Sequence, residues 1–244
     1  MSNNDQESNM TVLIQGAGQL GITLSNNQLR YFKQYQDSLI DWNQRLNLTA
    51  VREPGQIQRR HFLDSLTCSL VTGDLNRQTL IDVGSGAGFP GIPLKILFPG
   101  LRLTLLESVG KKAKFLAHIV DELQLEDVQV ITARAEEVGQ DMAHRQVYDW
   151  AVARAVAQLA ILIEYLLPLV RLGGYVLAPK GRQAEEELRE AALGITILGG
   201  GPPQLRPIQI PGQDEPSTLV WIKKLGQTPD KYPRRTGIPA KRPL

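Results

Sequence analysis

The chain has 244 residues, with 27 Lys and Arg against 25 Asp and Glu, so its formal net charge is +2. Its hydrophobic content of 42% and charged content of 21% are typical of a soluble globular protein. The one cysteine, Cys68, excludes an intrachain disulfide and a metal site made of cysteines, and three histidines argue against a histidine-rich one. We therefore expect no metal, and a reducing, cytoplasmic location is the simplest interpretation of the single thiol.

The sequence pattern indicates neither a signal peptide nor a membrane-spanning helix. The N-terminal segment MSNNDQESNM is polar and lacks the apolar core of a signal peptide. The most apolar window, 151–170, contains Arg154, Glu164 and Pro168, and its uncharged runs are too short to span a bilayer. We expect no membrane partner, and we expect a monomer.

Helical patterns follow the N-terminal segment. Residues 1–24 are polar and glycine-rich, which predicts a flexible arm. From Ser25, a suitable N-cap, apolar residues recur at helical spacing. They are Leu29, Phe32, Leu39, Trp42 and Leu46. A second helical stretch over 55–71 follows, so residues 25–75 are predicted to form a helical N-terminal cap.

Strand and helix patterns then alternate along the chain. Strand patterns cover 79–83, 101–106, 128–132, 148–153, 174–178, 195–198, 204–210 and 218–223. Helical patterns cover 92–98, 111–123, 159–172 and 182–193. This alternation predicts an α/β domain at 76–225 with a mostly parallel sheet. Because no helix separates the last two strands, the sheet is expected to end in an antiparallel hairpin.

A glycine-rich turn, Asp82-Val83-Gly84-Ser85-Gly86-Ala87-Gly88-Phe89-Pro90-Gly91, follows the first strand and opens a helix. Such a turn lets a ligand approach the backbone at a helix N-terminus. The spacing of Gly86, Gly88 and Gly91 fits a dinucleotide site. An acid at Asp82 suits the ammonium group of S-adenosylmethionine and would repel a pyrophosphate, so charge favours the methyl donor.

An acidic residue, Glu107, ends the second strand and can accept hydrogen bonds from ribose hydroxyls of either ligand. The fourth strand is followed by Ala153-Arg154-Ala155-Val156, without the Asp/Asn-Pro-Pro-aromatic motif of amino-methylating enzymes. Cys68 lies in the cap, which argues against a cysteine nucleophile of the cytosine C5 type and favours a buried thiol. Arg154 could face the cofactor or target base, or could pair with Asp82 or Glu107.

Several separated motifs together resemble a known family. The segments DVGSGAGFPGIPLKI, LLESVGKKAKFL, ARAEE, VARAVAQL, WNQRLNLTAVRE and RRHFLDSL are similar in order to those of the ribosomal RNA small-subunit methyltransferase G family. The resemblance covers about 42–181. It implies a Rossmann-like class I methyltransferase fold with a seven-stranded sheet. It also implies transfer of a methyl group from S-adenosylmethionine to N7 of a guanine in 16S rRNA, guanine 527 in the family's nomenclature.

The resemblance also implies site residues at matching positions. The cofactor would be held by Asp82, Gly84, Gly86, Gly88, Phe89, Glu107, Ser108, Val109, Ala135, Glu136 and Arg154. Of these, Arg154 would be the catalytic residue and would face the cofactor or the target base. N7 of guanine carries a free lone pair, so the reaction requires alignment and charge stabilisation, and no strong base.

Basic residues outside that pocket are candidates for RNA phosphates. They are Arg59, Arg60, Lys180, Arg182, Lys231, Arg234, Arg235, Lys241 and Arg242. The tail 226–244 ends in KYPRRTGIPAKRPL, with five basic and no acidic residues, so it is expected to be mobile or to fold on a partner. His61 is expected to have a packing or capping role, and Asp64 could pair with Arg60 on the same helix.

Two other functions remain open from the sequence. One is an NAD-dependent dehydrogenase that uses the Gly86, Gly88 and Gly91 pattern. The other is a non-catalytic ribosome or assembly factor that retains the fold. The expected main partner is 16S rRNA, alone or within the 30S subunit.

Overall fold

The computed structural model describes residues 10–244. The helices are α1 (Thr11–Gln19), α2 (Asn26–Leu46), α3 (Pro54–Ile57), α4 (Asp64–Leu66), α5 (Ser69–Thr72), α6 (Gly91–Leu97), α7 (Gly110–Glu122), α8 (Ala135–Val138), α9 (Leu159–Leu166), α10 (Ala184–Ile197) and α11 (Ile238–Lys241). The strands are β1 (Thr79–Val83), β2 (Arg102–Leu106), β3 (Val128–Ile131), β4 (Tyr148–Val152), β5 (Val170–Lys180), β6 (Gln204–Ile208) and β7 (Ser217–Lys223). A π-helical turn, Gln58–Leu63, joins α3 to α4.

The cap begins at the predicted N-cap. The Ser25 hydroxyl accepts a hydrogen bond from the backbone N–H of Gln28, whose side chain in turn accepts one from the N–H of Ser25. One face of α2 buries Phe32, Tyr35 and Leu39 in the core between the cap and the sheet. The cap is therefore packed on the sheet domain as a continuous layer.

Residues 10–24 differ from the predicted arm, whose first nine residues lie outside the described part of the chain. α1 buries Met10, Leu13 and Ala17 in the cap. The backbone N–H of Leu13 donates to the Gln58 side chain over 3.0 Å. A side chain could not replace the hydrogen of Gly16, because a Cβ there would lie 2.3 Å from Leu63. Gly16, one of the glycines that suggested a flexible arm, therefore permits close helix packing.

Leu13→Ala is expected to reduce the free energy of unfolding by about 2–5 kcal/mol, because it leaves a cavity between α1 and the π-helical turn. Ile14→Ala, on the exposed side of the same helix, should have little effect. Chemical denaturation of the two variants measures the difference. Equal midpoints would show that α1 does not contribute to the stability of the cap.

The sheet has the expected seven strands, in the order β3-β2-β1-β4-β5-β7-β6. Neighbours from β3 through β5 are parallel, and β7 pairs antiparallel with both β5 and β6. The mixed α/β architecture with a closing hairpin is confirmed. The chain order reverses beside β1, so the carboxyl ends of β1 and β4 border the crevice where open α/β sheets bind ligands.

One predicted strand, 195–198, and one predicted helix end are wrong. The segment 195–198 is the end of helix α10 and its cap, because Leu188, Ala191 and Ile195 continue one buried helical face. The helix predicted over 159–172 ends at Leu166, and β5 begins at Val170. The intervening leucine-rich sequence is buried in either conformation, so its hydrophobicity alone could not place the boundary.

The C-terminal tail is packed on the domain, contrary to the prediction of a mobile end. Glu164 is fully buried on α9, and its carboxylate accepts hydrogen bonds from the backbone and guanidinium of Arg234. Tyr232 and Thr228 are also buried. The acid inside the most apolar sequence window thus serves as the attachment point of the tail.

Across residues 10–244, every helix is too short or too polar to cross a membrane. The same residues contain no cluster of three or more His, Cys, Asp or Glu side chains suited to a metal ion. Cys68 is buried, and burial raises the pKa of its thiol above the usual range.

Candidate active site and acceptor cleft

The glycine-rich loop runs from the end of β1 to the start of α6. Gly84, Gly86 and Gly88 all have positive φ angles, of 70°, 61° and 98°. At Gly88, a Cβ atom would lie 2.5 Å from Ile92 and 2.7 Å from the Tyr35 hydroxyl. The loop conformation therefore requires glycine both for its backbone angles and for the approach of the cap.

Asp82 lies beneath this loop and is fully buried. Its Oδ2 atom accepts a hydrogen bond from the N–H of Gly91 at 2.8 Å, whereas its Oδ1 atom is buried without a partner. Burial raises the pKa of Asp82 to about 7, although the Gly91 N–H and the Arg154 charge partly oppose that shift. An unpaired buried carboxylate oxygen is costly, and a cationic ligand group would satisfy it.

Glu107 connects the end of β2 to the glycine-rich loop. Its Oε2 atom accepts from the N–H of Gly86 at 2.9 Å, and its Oε1 atom accepts from the N–H of Val109 at 2.7 Å. Each carboxylate oxygen has a further lone pair for a hydroxyl donor. Ser108 and Val109 follow on the exposed rim, at the end of the strand next to β1.

The end of β3 supplies the last predicted cofactor residues. Ala135 and Glu136 begin α8, and Glu136 is buried. Its Oε1 atom accepts a hydrogen bond from the N–H of Gly237 at 2.8 Å, which attaches the C-terminal tail to this end of the sheet. The predicted cofactor contact at Glu136 thus involves a side chain that already holds the tail.

Arg154 follows β4 and pairs with neither Asp82 nor Glu107, the structural partners considered from sequence. Its Nη1 atom donates to the Asp64 carboxylate and, at 3.0 Å, to the backbone oxygen of Arg60. Asp64 therefore forms its ion pair with Arg154, and not with Arg60 as the sequence had suggested. This ion pair joins the cap to the sheet domain. The guanidinium carbon lies 5.2 Å from the centre of the Phe89 ring.

The cap supports the loop through aromatic contacts. The Tyr35 ring stacks on Phe89 with centroids 5.4 Å apart, and its hydroxyl donates to the backbone oxygen of Ala87. The His61 ring also stacks on Phe89, at 4.6 Å. Phe89 of the glycine-rich loop is therefore held between the cap and Arg154.

A cleft of about 1100 Å³ opens beside Arg154 and Val156 at the carboxyl ends of β4 and β5. Four residues predicted to contact RNA line it, namely Arg59, Arg60, Lys180 and Arg182. The loop between β6 and β7, with Asp214 and Glu215, forms its outer wall. Val156 joins the cleft to the glycine-rich loop, because a Cβ atom at Gly84 would lie 2.7 Å from its side chain. The lining carries both cationic and acidic side chains.

Lys180 differs from its expected role. Its ammonium group forms an ion pair with Glu187 at 2.7 Å and donates to the backbone oxygen of Ala157 at 2.7 Å. These contacts fix the segment after β4, so Lys180 shapes the cleft and is not a free phosphate ligand. Arg60 and Arg182 are exposed at the cleft.

The tail residues do not join the cleft. Arg234 forms an ion pair with Glu164, and its predicted contact with RNA stays a prediction. The other basic tail residues lie on the surface outside the cleft lining. They are Lys231, Arg235, Lys241 and Arg242.

The sequence of this chain is similar to those of known methyltransferases. The family model for rRNA small subunit methyltransferase G matches residues 28–207. The chain belongs to this family. A relative named ribosomal RNA small subunit methyltransferase G from Roseiflexus castenholzii is 53% identical over 96% of this chain and 100% of its own. One of the same name from Alkaliphilus metalliredigens is 47% identical over 96% of this chain and 98% of its own.

The fold is shared with distant methyltransferases. The O-methyltransferase from Bacillus cereus, solved in complex with SAH, superposes with a TM-score of 0.57 and 18% identity, covering 78% of this chain and 91% of its own. Membership of the methyltransferase family removes the dehydrogenase alternative that the Gly86, Gly88 and Gly91 spacing had left open.

Sequence reasoning missed three residues that build the site. Tyr35 has the helical spacing of the buried α2 face, three residues after Phe32, and that spacing was a usable signal. Thr49 and Asp64 gave no such signal, because their partners lie 12 and 90 residues away in the sequence. His61 does pack, as expected, and its partner is Phe89 of the glycine-rich loop.

Proposed function

We propose that this protein transfers a methyl group from S-adenosylmethionine to N7 of guanine 527 of 16S rRNA. The observation that carries the proposal is the position of Phe89 and Arg154. Arg154 lines the cleft, where Arg60 and Arg182 are also exposed, and its guanidinium carbon lies 5.2 Å from the centre of the Phe89 ring in the glycine-rich loop. Family membership supplies the coarser part, a methyltransferase that acts on the rRNA of the small subunit.

The residues of the loop fit the cofactor. The unpaired Oδ1 atom of Asp82 suits the ammonium group of the methionine moiety, and the open lone pairs of Glu107 suit the ribose hydroxyls. Gly84 and Phe89 would line the methionine end, with Ser108, Val109 and Ala135 near the adenine. The cofactor supplies an electrophilic methyl group on a sulfonium centre.

The chemistry matches an N7 acceptor. This nitrogen has a lone pair and no proton to lose, so the protein needs to align the base and stabilise developing charge. The cleft has no free histidine or cysteine positioned as a base, because His61 faces Arg154 and Phe89. Arg154 is the residue best placed to contact the base. Arg59, Arg60 and Arg182 would meet the RNA backbone.

S-Adenosylmethionine binding should depend on pH through Asp82. Burial raises the pKa of this acid to about 7, and the carboxylate must be ionised to hold an ammonium group. Affinity is therefore expected to weaken as pH falls below 7, approaching tenfold per pH unit. Asp82→Asn should bind more weakly and lose this dependence between pH 5.5 and 7. Calorimetric titration tests both, and an equally steep profile in the variant would assign the dependence to another group.

The deciding experiment uses tritiated S-adenosylmethionine and 30S subunits from cells that lack this gene, followed by mapping of the labelled nucleotide. Label at N7 of one 16S guanine would establish the proposal. Label at another atom, or in another RNA, would support a methyltransferase activity but would assign it a different acceptor. Cofactor binding without transfer to 30S subunits or naked 16S rRNA would favour a non-catalytic assembly role.

A further inference from the structure

His61 lies at the centre of a cluster that joins the cap to the sheet domain. It comes from the π-helical turn, and its ring stacks on Phe89. Its Nε2 atom is 2.7 Å from the Thr49 hydroxyl, and its Nδ1 atom is 3.3 Å from Nη2 of Arg154. The backbone of Thr49 is in turn fixed by two hydrogen bonds with the Asn43 side chain. His61 therefore connects a rigid part of the cap to the guanidinium.

The protonation of His61 follows from its neighbours. Burial and the Arg154 charge lower the pKa of His61 to about 3, so the ring is neutral at physiological pH. Nδ1 also lies 3.2 Å from the backbone oxygen of Arg60, which already accepts from Arg154. A guanidinium has only donors, so an Nδ1–H group would face the Arg154 donor. The contact with Arg154 therefore requires the tautomer that carries its proton on Nε2 and offers the Nδ1 lone pair. In the other tautomer an Nδ1–H group would donate to the second lone pair of the Arg60 oxygen, and Arg154 would lose this acceptor.

The guanidinium of Arg154 is thus held at both of its terminal nitrogens. Asp64 and the Arg60 carbonyl accept from Nη1, and His61 accepts from Nη2. Three contacts from the cap leave the remaining N–H groups of Arg154 for a ligand in the cleft. An arginine fixed in this way loses little conformational entropy when it contacts the acceptor.

We propose that His61 is a positioning residue of the methyl-transfer reaction, and that its Nδ1 atom, together with Asp64, orients Arg154 beside Phe89 toward the acceptor base. The inference rests on the proposed function, since it requires that Arg154 contacts the acceptor. It assigns no proton transfer to His61. The residue acts through Arg154 alone.

The kinetic test compares His61→Phe with the wild-type protein on 30S subunits. Phenylalanine keeps a ring that can stack on Phe89 and removes the acceptor for Arg154. We expect kcat to fall by roughly 10- to 100-fold, with the KM for 30S subunits and the Kd for S-adenosylmethionine within about twofold. His118→Phe makes the same change at a histidine that stacks on Trp42 outside the cleft, and it should leave kcat unchanged.

A double-mutant cycle separates positioning from a merely structural role. Arg154→Lys removes the two-nitrogen geometry, so adding His61→Phe to that variant should reduce kcat by less than about threefold. An equal loss in both backgrounds would show that His61 does not act through Arg154. An unchanged kcat in His61→Phe alone would also overturn the proposal.

A spectroscopic test does not depend on activity or on a variant that folds. In wild-type protein labelled with ¹⁵N-histidine, the His61 ring should be neutral from pH 5 to 8, with Nδ1 unprotonated and Nε2 protonated. The charged groups around the ring are Arg154, Arg60 and Asp64. A proton on Nδ1 would overturn the orientation proposed for Arg154. A wild-type protein with this tautomer and no transferase activity would instead refute the proposed function.

Discussion

Gly84→Asp should abolish cofactor binding and methyl transfer. The residue has a φ of 70°, and a Cβ atom there would lie 2.7 Å from Val156. An added side chain would strain the loop and displace the segment after β4. The new carboxylate would also share the loop with Asp82 and Glu107, where like charges repel. We expect the Kd for S-adenosylmethionine to rise by at least ~100-fold, equivalent to about 2.7 kcal/mol of binding free energy.

Isothermal titration calorimetry measures this loss, and a thermal melt reports whether the variant is folded. Gly18→Asp is the matched control, because that glycine is exposed on α1 and a Cβ there would meet no atom within 4 Å. The control should bind S-adenosylmethionine as the wild type does. Unchanged affinity in folded Gly84→Asp would exclude the glycine-rich loop as the cofactor site.

The part of the site that the sequence could predict lies on short, continuous segments. Asp82 and the glycines up to Gly91 combine a strand ending, a turn that needs positive φ and a helix start within ten residues. Glu107 could also be predicted from a local pattern, because it directly follows β2, the strand that pairs in parallel with β1. Local patterns of this kind constrain the backbone wherever the rest of the chain packs.

The remaining part depends on contacts between distant segments. Arg154 was predicted at the site, but its pairing with Asp64 joins residues 90 positions apart, and a short-range pattern offered Arg60 as the partner of Asp64. No partner for Lys180 could be recognised from the sequence, whereas in the structure its ammonium group forms an ion pair with Glu187. The charge pattern of the sequence therefore indicated which basic residues lie near the cleft, but it could not show that Lys180 already has a partner.

The tail illustrates the same limit with a larger consequence for stability. Its basic, proline-rich composition indicated a segment without a core. The structure supplies that core through Glu164, which is 0% exposed and lies 70 residues before its partner Arg234. A buried acid within an apolar helix is the signal that would have indicated a basic partner.

Arg234→Ala should reduce the free energy of unfolding by about 3 kcal/mol, because it leaves the Glu164 carboxylate buried without its cation. This value is at the low end of the loss of stability that is usual when a buried ion pair is broken. The Arg234 side chain is 25% exposed, so solvent screens part of the interaction. Chemical denaturation measures the change. The control is Arg235→Ala, because Arg235 is the next residue and its side chain is exposed. This variant should change the free energy of unfolding by less than about 0.5 kcal/mol.

The double variant Glu164→Leu with Arg234→Met distinguishes a charge effect from a general loss of packing. Replacement of both partners by apolar side chains removes the unpaired charge, so it should recover most of the stability lost in Arg234→Ala. The single variant should also release the tail, which trypsin would then cut after Lys231 and Arg235 faster than in the wild type. If Arg234→Ala and Arg235→Ala were equally stable and equally resistant to trypsin, the ion pair would not hold the tail. The tail would then depend on the burial of Tyr232 and on the hydrogen bond between Gly237 and Glu136.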